Sequence, residues 1–519
     1  MDILQSLQMT SKPTALLTPT VRELPADLET PVSVYLKLAG GRPSFLLESV
    51  SGGEQLARYS FIGVNPSRAY VLRGRQLEIH KLHDEQHEIE QQDLEGLQNP
   101  LDSLRSVLDS YRYQAIPNLP RFTGGLVGYL GYEMMRFFEP SVPLVPHETL
   151  PDAIFLLADT LVAFDHAFGR LLLIGNASLD SHNGLSPQAV EARLDDIQQR
   201  LAAPVPAKHT AQIGRSIDSA VPPQPPVELT LQTGNDNANM TRQQYIEAVE
   251  QIKEHIAAGD IFQAVLSQRL DRETGAAPFD IYRALRRLNP SPYMFYFDFD
   301  GLAGEQPLHL IGASPEMHVR LEGQHAAIRP IAGTRRRGSL PEEDTRLERE
   351  LLADPKERAE HIMLVDLGRN DLGRICEYGS VHVPEQMSIE RYSHVLHIVS
   401  HVEGRLRPEY DAFDLLKATF PAGTVSGAPK IRAMQIISQL EPSSRGPYAG
   451  AVGYIGYDGS MDTCIAIRTM VMRGQKVSMQ AGAGIVADSN PANEYQETLN
   501  KLSALAVALD IAERQEVTP

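Results

Sequence analysis

Gly125-Leu-Val-Gly-Tyr-Leu-Gly-Tyr-Glu133 and Gly450-Ala-Val-Gly-Tyr-Ile-Gly-Tyr-Asp458 align without a gap, and six of their nine positions are identical. Each reads as a strand whose glycines let a neighbouring backbone approach closely. Two explanations stay open: a packing solution reached twice, or one old unit present once in each half. Neither copy is a dinucleotide fingerprint, because no helix clearly follows and no acid sits at the required distance. Between the copies lies a seam from Ala203 to Asn239 with six prolines among polar residues. Such a stretch sustains neither a helix nor a central strand. It divides the chain into residues 1–202, a linker at 203–239, and residues 240–519.

Outward from the two copies, strands and helices mix without a βαβ rhythm, which points to an α+β fold. Leu28 to His80 reads as short strands, and Ala153 to Leu173 as two core strands around a turn. Ser186 caps an expected helix from Pro187 to Leu201. Ile246, Val249, Ile252 and Ile256 recur at helical spacing within Thr241 to Ala258. Gly259-Asp260 stops that helix, and Ile261 to Leu270 reads as a strand. Further strands are expected at Leu308 to Leu321 and Ala326 to Arg335, and helices at Glu348 to Ile375 and Asn493 to Arg514.

The composition is that of an ordinary globular protein, with 42% hydrophobic and 22% charged residues in 519. The net charge of −18 opposes broad nucleic-acid binding, which needs a basic face. It leaves room for a small anionic substrate, because a local pocket can oppose the global field. No run approaches the roughly 20 apolar residues of a membrane span. Residues 1–17 lack the apolar run of a secretory signal. Cys376 and Cys464 are the only cysteines, so a reducing, cytoplasmic setting is expected and a cysteine-rich zinc cluster is excluded.

Several residues carry potential chemistry. Glu357 and Glu360 lie three apart on one expected helix, and Glu494 and Glu497 repeat the spacing on the last. Two such helices facing one pocket would offer hard oxygen ligands suited to Mg²⁺. Gln480-Ala-Gly-Ala-Gly484 ends a glycine-rich strand where backbone amides could meet an anion. Pro330-Ile-Ala-Gly-Thr334 runs into Arg335-Arg-Arg337, and Tyr448 and Arg468 add further anion partners. Glu316 follows a proline between apolar stretches, where burial would raise its pKa toward general-acid use. His397 lies among aliphatic residues, where a histidine is more often a core residue than a base.

Taken in order, the segments Gly259-Asp-Ile-Phe-Gln263, Asn289-Pro-Ser-Pro-Tyr-Met294, Gly312-Ala-Ser-Pro-Glu316 and Pro330-Ile-Ala-Gly-Thr334 resemble the chorismate-utilising enzyme family, in its anthranilate synthase large-subunit branch. Glu360-His-Ile-Met-Leu-Val-Asp366, Arg369-Asn-Asp371, Gly423-Thr-Val-Ser-Gly-Ala-Pro-Lys430, Asp462-Thr-Cys-Ile-Ala-Ile-Arg468 and Gln480 to Gly484 extend the match over essentially all of residues 240–512. The first half matches more loosely, through Leu46-Leu-Glu-Ser49, Arg58-Tyr-Ser-Phe-Ile-Gly63 and the Gly125 segment. The resemblance implies a large antiparallel β core, a two-sheet sandwich, with helices outside. It implies that chorismate binds with Mg²⁺, and that Glu360 and Glu497 hold the metal with Glu357 and Glu494 nearby. Gly333, Thr334, Tyr448, Arg468, Gly482, Ala483 and Gly484 match substrate contacts. Glu316 matches the general acid, and His397 and Thr424 match further active-site positions.

Two positions discriminate within the family. Relatives that add water carry lysine where this chain has Gln263; water needs a base to become a nucleophile, whereas ammonia brings its own lone pair. Relatives making 4-amino-4-deoxychorismate commonly carry lysine in place of Ala332, which offers no nucleophile. Both residues fit direct addition of ammonia at C2, giving anthranilate and pyruvate, although neither excludes an enzyme that stops at 2-amino-2-deoxyisochorismate. Ser49, Pro292, Tyr293 and Met294 match the family's site for feedback-inhibiting tryptophan. Neither cysteine sits in a glycine-flanked nucleophile turn. The resemblance therefore implies a separate glutamine amidotransferase subunit as the source of ammonia.

Overall fold

A computed structural model of the chain describes residues 15–40, 43–50, 58–82, 87–178, 184–206, 237–338, 340–391 and 395–516. The described strands form two large, mostly antiparallel sheets, one of thirteen strands and one of twelve, with helices outside, the expected α+β two-sheet sandwich. The repeated segments decide its centre. Gly125–Leu130 and Ala451–Gly456 are antiparallel neighbours in the smaller sheet, with Gly128 opposite Gly453. A methyl group at Gly128 would collide with the Ile154 carbonyl oxygen on the next strand, and one at Gly453 with that of Asp462. Both glycines therefore serve close strand approach.

The symmetry extends to both sheets. The larger runs Gln263–Glu273, Lys476–Ile485, Thr469–Arg473, Leu308–Ser314, Tyr293–Asp298, then Ser44–Glu48, Tyr59–Val64, Thr160–Asp165, Arg170–Ser178, Ala15–Pro25. In chain order within each half, the two series mirror one another about the Tyr293–Asp298 and Ser44–Glu48 pair. The smaller sheet mirrors in the same way about the two glycine strands. This palindromic order favours the duplication reading over convergence of a single strand. The halves on either side of the proline-rich segment thus share both sheets. Much of that segment, residues 207–236, lies outside the described residues.

Alternating side chains fill the space between the sheets with Phe45, Phe61, Phe122, Phe295 and Phe297, all buried with Val71, Val127 and Leu156. Each such side chain contributes about 1.5–3 kcal/mol of transfer free energy. The outer face of the larger sheet is covered by Pro31–Leu38, Pro187–Leu201, Pro278–Leu288 and Pro491–Glu516, joined in one apolar cluster. Helix starts follow their caps: Ser186 accepts from the Ala189 amide, and Thr241 forms a capping box with Gln244.

Several elements differ from the expected ones, for local reasons. Leu28 to His80 contains the helix Pro31–Leu38, started by a Thr30–Ser33 capping box. Ala153 to Leu173 holds Ala153–Ala158, Thr160–Asp165 and the start of Arg170–Ser178. The first of these belongs to the smaller sheet and the second to the larger, so Asp159 is a crossing point, held by Arg193 at 2.8 Å. Leu308 to Leu321 splits likewise into Leu308–Ser314 and Met317–Glu322 in different sheets, with Glu316 at the crossing. The Ala326 to Arg335 strand is His325–Ile328 and Ile331–Arg336, interrupted at Arg329-Pro330. Glu348 to Ile375 is two helices, Pro341–Ala353 and Pro355–Gly373, because Pro355 cannot continue the first and Asp354 caps the second.

Candidate active site

Glu316 is 5% exposed, where the chain passes from one sheet to the other. Its Oε1 accepts the Thr424 hydroxyl at 2.6 Å, and its backbone carbonyl accepts the Ile465 amide at 3.1 Å. Burial pushes the carboxyl up to about 8, against the opposing Thr424 hydroxyl and Ile331 amide. A carboxyl held this way is protonated at neutral pH and can donate.

The Pro330 to Thr334 segment reaches the same region through a bulge. Ile331 and Ala332 pair with Val399 and Ile398, Thr334 pairs with His397, and Gly333 is the inserted residue. Its φ of +67° is the left-handed region that favours glycine. The bulge turns the Gly333 carbonyl onto His397, whose Nδ1 lies 2.9 Å from that oxygen and 3.2 Å from Thr334 Oγ1. A ring donating from Nδ1 leaves Nε2 as its acceptor nitrogen. Burial, with Arg468 nearby, lowers the His397 pKa and keeps the ring neutral. Arg468 itself has φ +49° in the turn before Thr469–Arg473, and its guanidinium reaches Asn289 at 3.4 Å.

The carboxylate pair on Pro355–Gly373 faces the start of the Gln263–Glu273 strand. Gln263 Nε2 donates to Glu360 Oε1 at 3.4 Å, while Gln263 Oε1 is buried with no partner among the described residues. Burial raises the Glu360 pKa, reinforced by the charges of Glu357 and Glu497. Burial also raises that of Glu494, which feels Glu497 as well. All four acids thus belong to one electrostatic neighbourhood. Two are already bound to cations: Glu357 accepts Arg335 at 2.8 Å, and Glu497 accepts Lys501 at 2.8 Å. Arg335, first read as part of an anion-binding run, is committed to Glu357 and Asp354. Among the described residues no group of three or more histidine, cysteine or acidic side chains is placed to hold a metal ion. Mg²⁺ does not need one, since it keeps several waters and takes one or two carboxylates plus substrate oxygens. Glu360, Glu497 and the unpartnered Gln263 oxygen fit such an incomplete oxygen set.

The glycines of Lys476–Ile485 form the floor. Side chains opposite one another share a face, so Val265, Gly484, Ser267 and Gly482 lie on the inner face of the larger sheet. A methyl at Gly484 would strike Gln263 Nε2, and one at Gly482 would lie 3.0 Å from the Tyr448 hydroxyl. Ala483 points the other way, into the helix-side core with Leu266 and Ile436, so only its backbone faces the floor.

Behind the floor lies a buried network that the sequence did not reveal. Arg445 and Glu441 are 1% and 5% exposed at the side chain and pair at 2.7 Å. Arg445 also donates to the carbonyls of Val425 and Val265, both at 2.7 Å. It therefore ties the Thr424 turn to the strand that carries Gln263. Glu441 accepts the Ser267 amide and hydroxyl, and Glu133 accepts the Arg445 and Gly446 amides. Glu133 ends the first glycine segment, and Lys430 pairs with Asp371 at 2.8 Å, joining two of the quoted motifs.

A second cavity, of about 480 Å³, lies where the halves meet and is lined by Ser49, Pro292, Tyr293 and Met294. Its size lies within the range for small-molecule sites. Ser49 Oγ is buried with no partner among the described residues, and Arg320, Tyr293 and Asp462 bond to one another along the wall. The Met461–Ile465 strand lines this cavity with Asp462 and Cys464, then bonds through Ile465 to Glu316.

Glu316 bonded to Thr424, His397 against the Gly333 bulge, and Glu360 beside Gln263 and Gly484 lie on a two-sheet scaffold whose halves mirror one another. The sequence profile described as "chorismate binding enzyme" matches residues 57–507, and the chain belongs to that family. It is 46% identical over 503 residues to anthranilate synthase component 1 of Pseudomonas putida, covering 96% of both chains. It is 44% identical over 500 residues to that of Acinetobacter calcoaceticus, covering 95% of each. Among solved structures, anthranilate synthase component I of Streptococcus pneumoniae TIGR4 superposes with TM-score 0.73 at 38% identity, over 93% of this chain and 99% of that one. The menaquinone-specific isochorismate synthase of Escherichia coli, at 20% identity, TM-score 0.66 and coverage of 98% and 97%, shares the fold.

Proposed function

We propose that the chain converts chorismate and ammonia to anthranilate and pyruvate. The observation that carries this reading is Glu316: an acid buried at a sheet crossing, bonded to Thr424 and held protonated. The C4 hydroxyl of chorismate is a poor leaving group, and a neutral carboxyl can protonate the departing oxygen. Gln263 leaves ammonia as the nucleophile at C2, because an amide cannot act as a base on water. His397, whose Nδ1 lies against the Gly333 carbonyl and whose pKa burial lowers, suits removal of the C2 proton as pyruvate leaves and the ring becomes aromatic. Arg468, Tyr448 and the amides of Gly482 to Gly484 would hold the substrate's carboxylates. Glu360 and Glu497 would hold Mg²⁺, whose charge draws electron density from the substrate ring when bound.

Tryptophan is proposed as the occupant of the cavity around Ser49. Its size and its buried unpartnered hydroxyl support an amino-acid ligand, and the Met461–Ile465 strand offers a direct connection to Glu316. Ammonia is proposed to come from a glutamine amidotransferase subunit.

Incubation with chorismate, Mg²⁺ and an ammonium salt tests the reading. Fluorescent anthranilate with equimolar pyruvate is the expected result. An aminochorismate without pyruvate would move the chain to the 2-amino-2-deoxyisochorismate or 4-amino-4-deoxychorismate branch. Turnover with glutamine by the chain alone would overturn the partner assignment.

A further inference from the structure

We propose that the cavity bounded by Arg269, Arg473, Lys476 and His147, which adjoins the proposed substrate site at Tyr448, binds a small oxyanion of the carboxylate or phosphate type. The cavity is about 220 Å³, and among the described residues no acidic side chain lines it. That is below the size typical of larger ligand pockets. In a chain of net charge −18, such a lining is a local reversal of the field.

The charge balance is specific. Asp271 lies 3.4 Å from Arg269 Nε and 2.8 Å from Lys476 Nζ, so one acid faces two cations. Asp152, the other acid felt by His147, is taken by Arg136. Among the described residues Arg473 makes no ion pair and its buried Nε has no partner. His147 Nδ1 accepts the Thr149 and Leu150 amides, both at 3.2 Å, so its neutral ring presents Nε2–H as a donor. Burial, with Arg269 and Arg473, holds that ring's pKa down at about 4, so it stays neutral. Arg473 and the His147 Nε2–H, which pair with no carboxylate among the described residues, are the donors an oxyanion requires, and a guanidinium can grip one bidentately. A neighbouring cavity shares Arg269 and His147 but includes Glu133, Glu148 and Glu441, and is not part of this site.

The cavity lies on the same sheet face as the active site. Arg269 is opposite Gln480 and Ser267 is opposite Gly482, one step nearer Gly484. Six strand residues from Arg269 to Gln263 correspond to roughly 20 Å. Tyr448 and Gln480 line the cavity, while the Tyr448 hydroxyl faces Gly482.

Calorimetric titration of the full chain with pyruvate and, separately, with inorganic phosphate tests the site. At least one anion should bind, more weakly as salt is raised. Arg473→Met should weaken binding tenfold or more, Arg473→Lys should retain part of it, and Arg468→Met in the proposed substrate site should leave it in place. Pyruvate binding alone would identify a carboxylate site, and phosphate binding alone an inorganic oxyanion site. Thermal melting checks that Arg473→Met is folded; Lys476→Met, at a more exposed position, gives a second measurement if it is not. No binding of either anion, or binding lost in Arg468→Met and kept in Arg473→Met, would overturn the proposal.

Discussion

Glu316→Gln tests the proposed acid through both rate and stability. The carboxyl moves from an ordinary value of 4.5 to about 8 on burial. One unit is about 1.4 kcal/mol, so the ionised form is disfavoured by about 5 kcal/mol, and about nine-tenths of the chains hold the proton at pH 7. Between these two values the folded state binds more protons than the unfolded state. The associated stability is therefore full below the unfolded pKa and is lost as pH rises through about 8. Urea unfolding at a series of pH values should show wild type losing about 1.4 kcal/mol per unit relative to Glu316→Gln over that window. In turnover of chorismate with ammonium, kcat/KM expressed per concentration of neutral ammonia should fall above about pH 8. Glu316→Gln should lower the rate by about 10²–10⁴-fold and remove that limb. A wild-type profile flat through this range, or a limb that survives in Glu316→Gln, would refute the reasoning.

Other perturbations probe separate parts. Glu360→Gln and Glu497→Gln should each raise the Mg²⁺ concentration needed for half-maximal turnover by tenfold or more; unchanged Mg²⁺ titrations would remove the metal assignment. Ser49→Phe should fill the cavity at the junction of the halves and abolish tryptophan inhibition with turnover retained, as read by inhibition curves. Arg445→Met leaves Glu441 buried without its cation and should destabilise by about 3–5 kcal/mol in urea unfolding, with Arg445→Met/Glu441→Leu recovering part of the loss. Gly453→Val would drive a side chain into the Asp462 carbonyl, and thermal melting should show a loss of at least the about 1–3 kcal/mol typical of overpacking.

Much of the candidate site was legible because its signals are local. A cap and proline placement marked Pro187–Leu201, apolar spacing marked the Arg242–Ala257 helix, and i, i+3 spacing put Glu357 and Glu360 on one helix. The roles of Thr424 and Ser49 came from family resemblance, whereas Glu316 was already a candidate acid from its place after a proline between apolar stretches. The Arg445–Glu441 pair left no sequence signal, since a buried arginine in Ser443-Ser-Arg-Gly446 looks like one in any loop.

The suitability of Gln263 and Ala332 for ammonia is what the family resemblance implies; by itself, the sequence determined the α+β class, the repeat and most helices. These follow from composition, periodicity and local chemistry, which a linear reading contains. Only the tertiary structure decided that the two glycine segments pair with each other, at the centre of one sheet. It alone placed Glu316 at a crossing between sheets, bonded to a threonine 108 residues away. Strand pairing and burial depend on which distant segments exclude water from one another. Desolvation at that crossing is the largest cause of the raised Glu316 pKa.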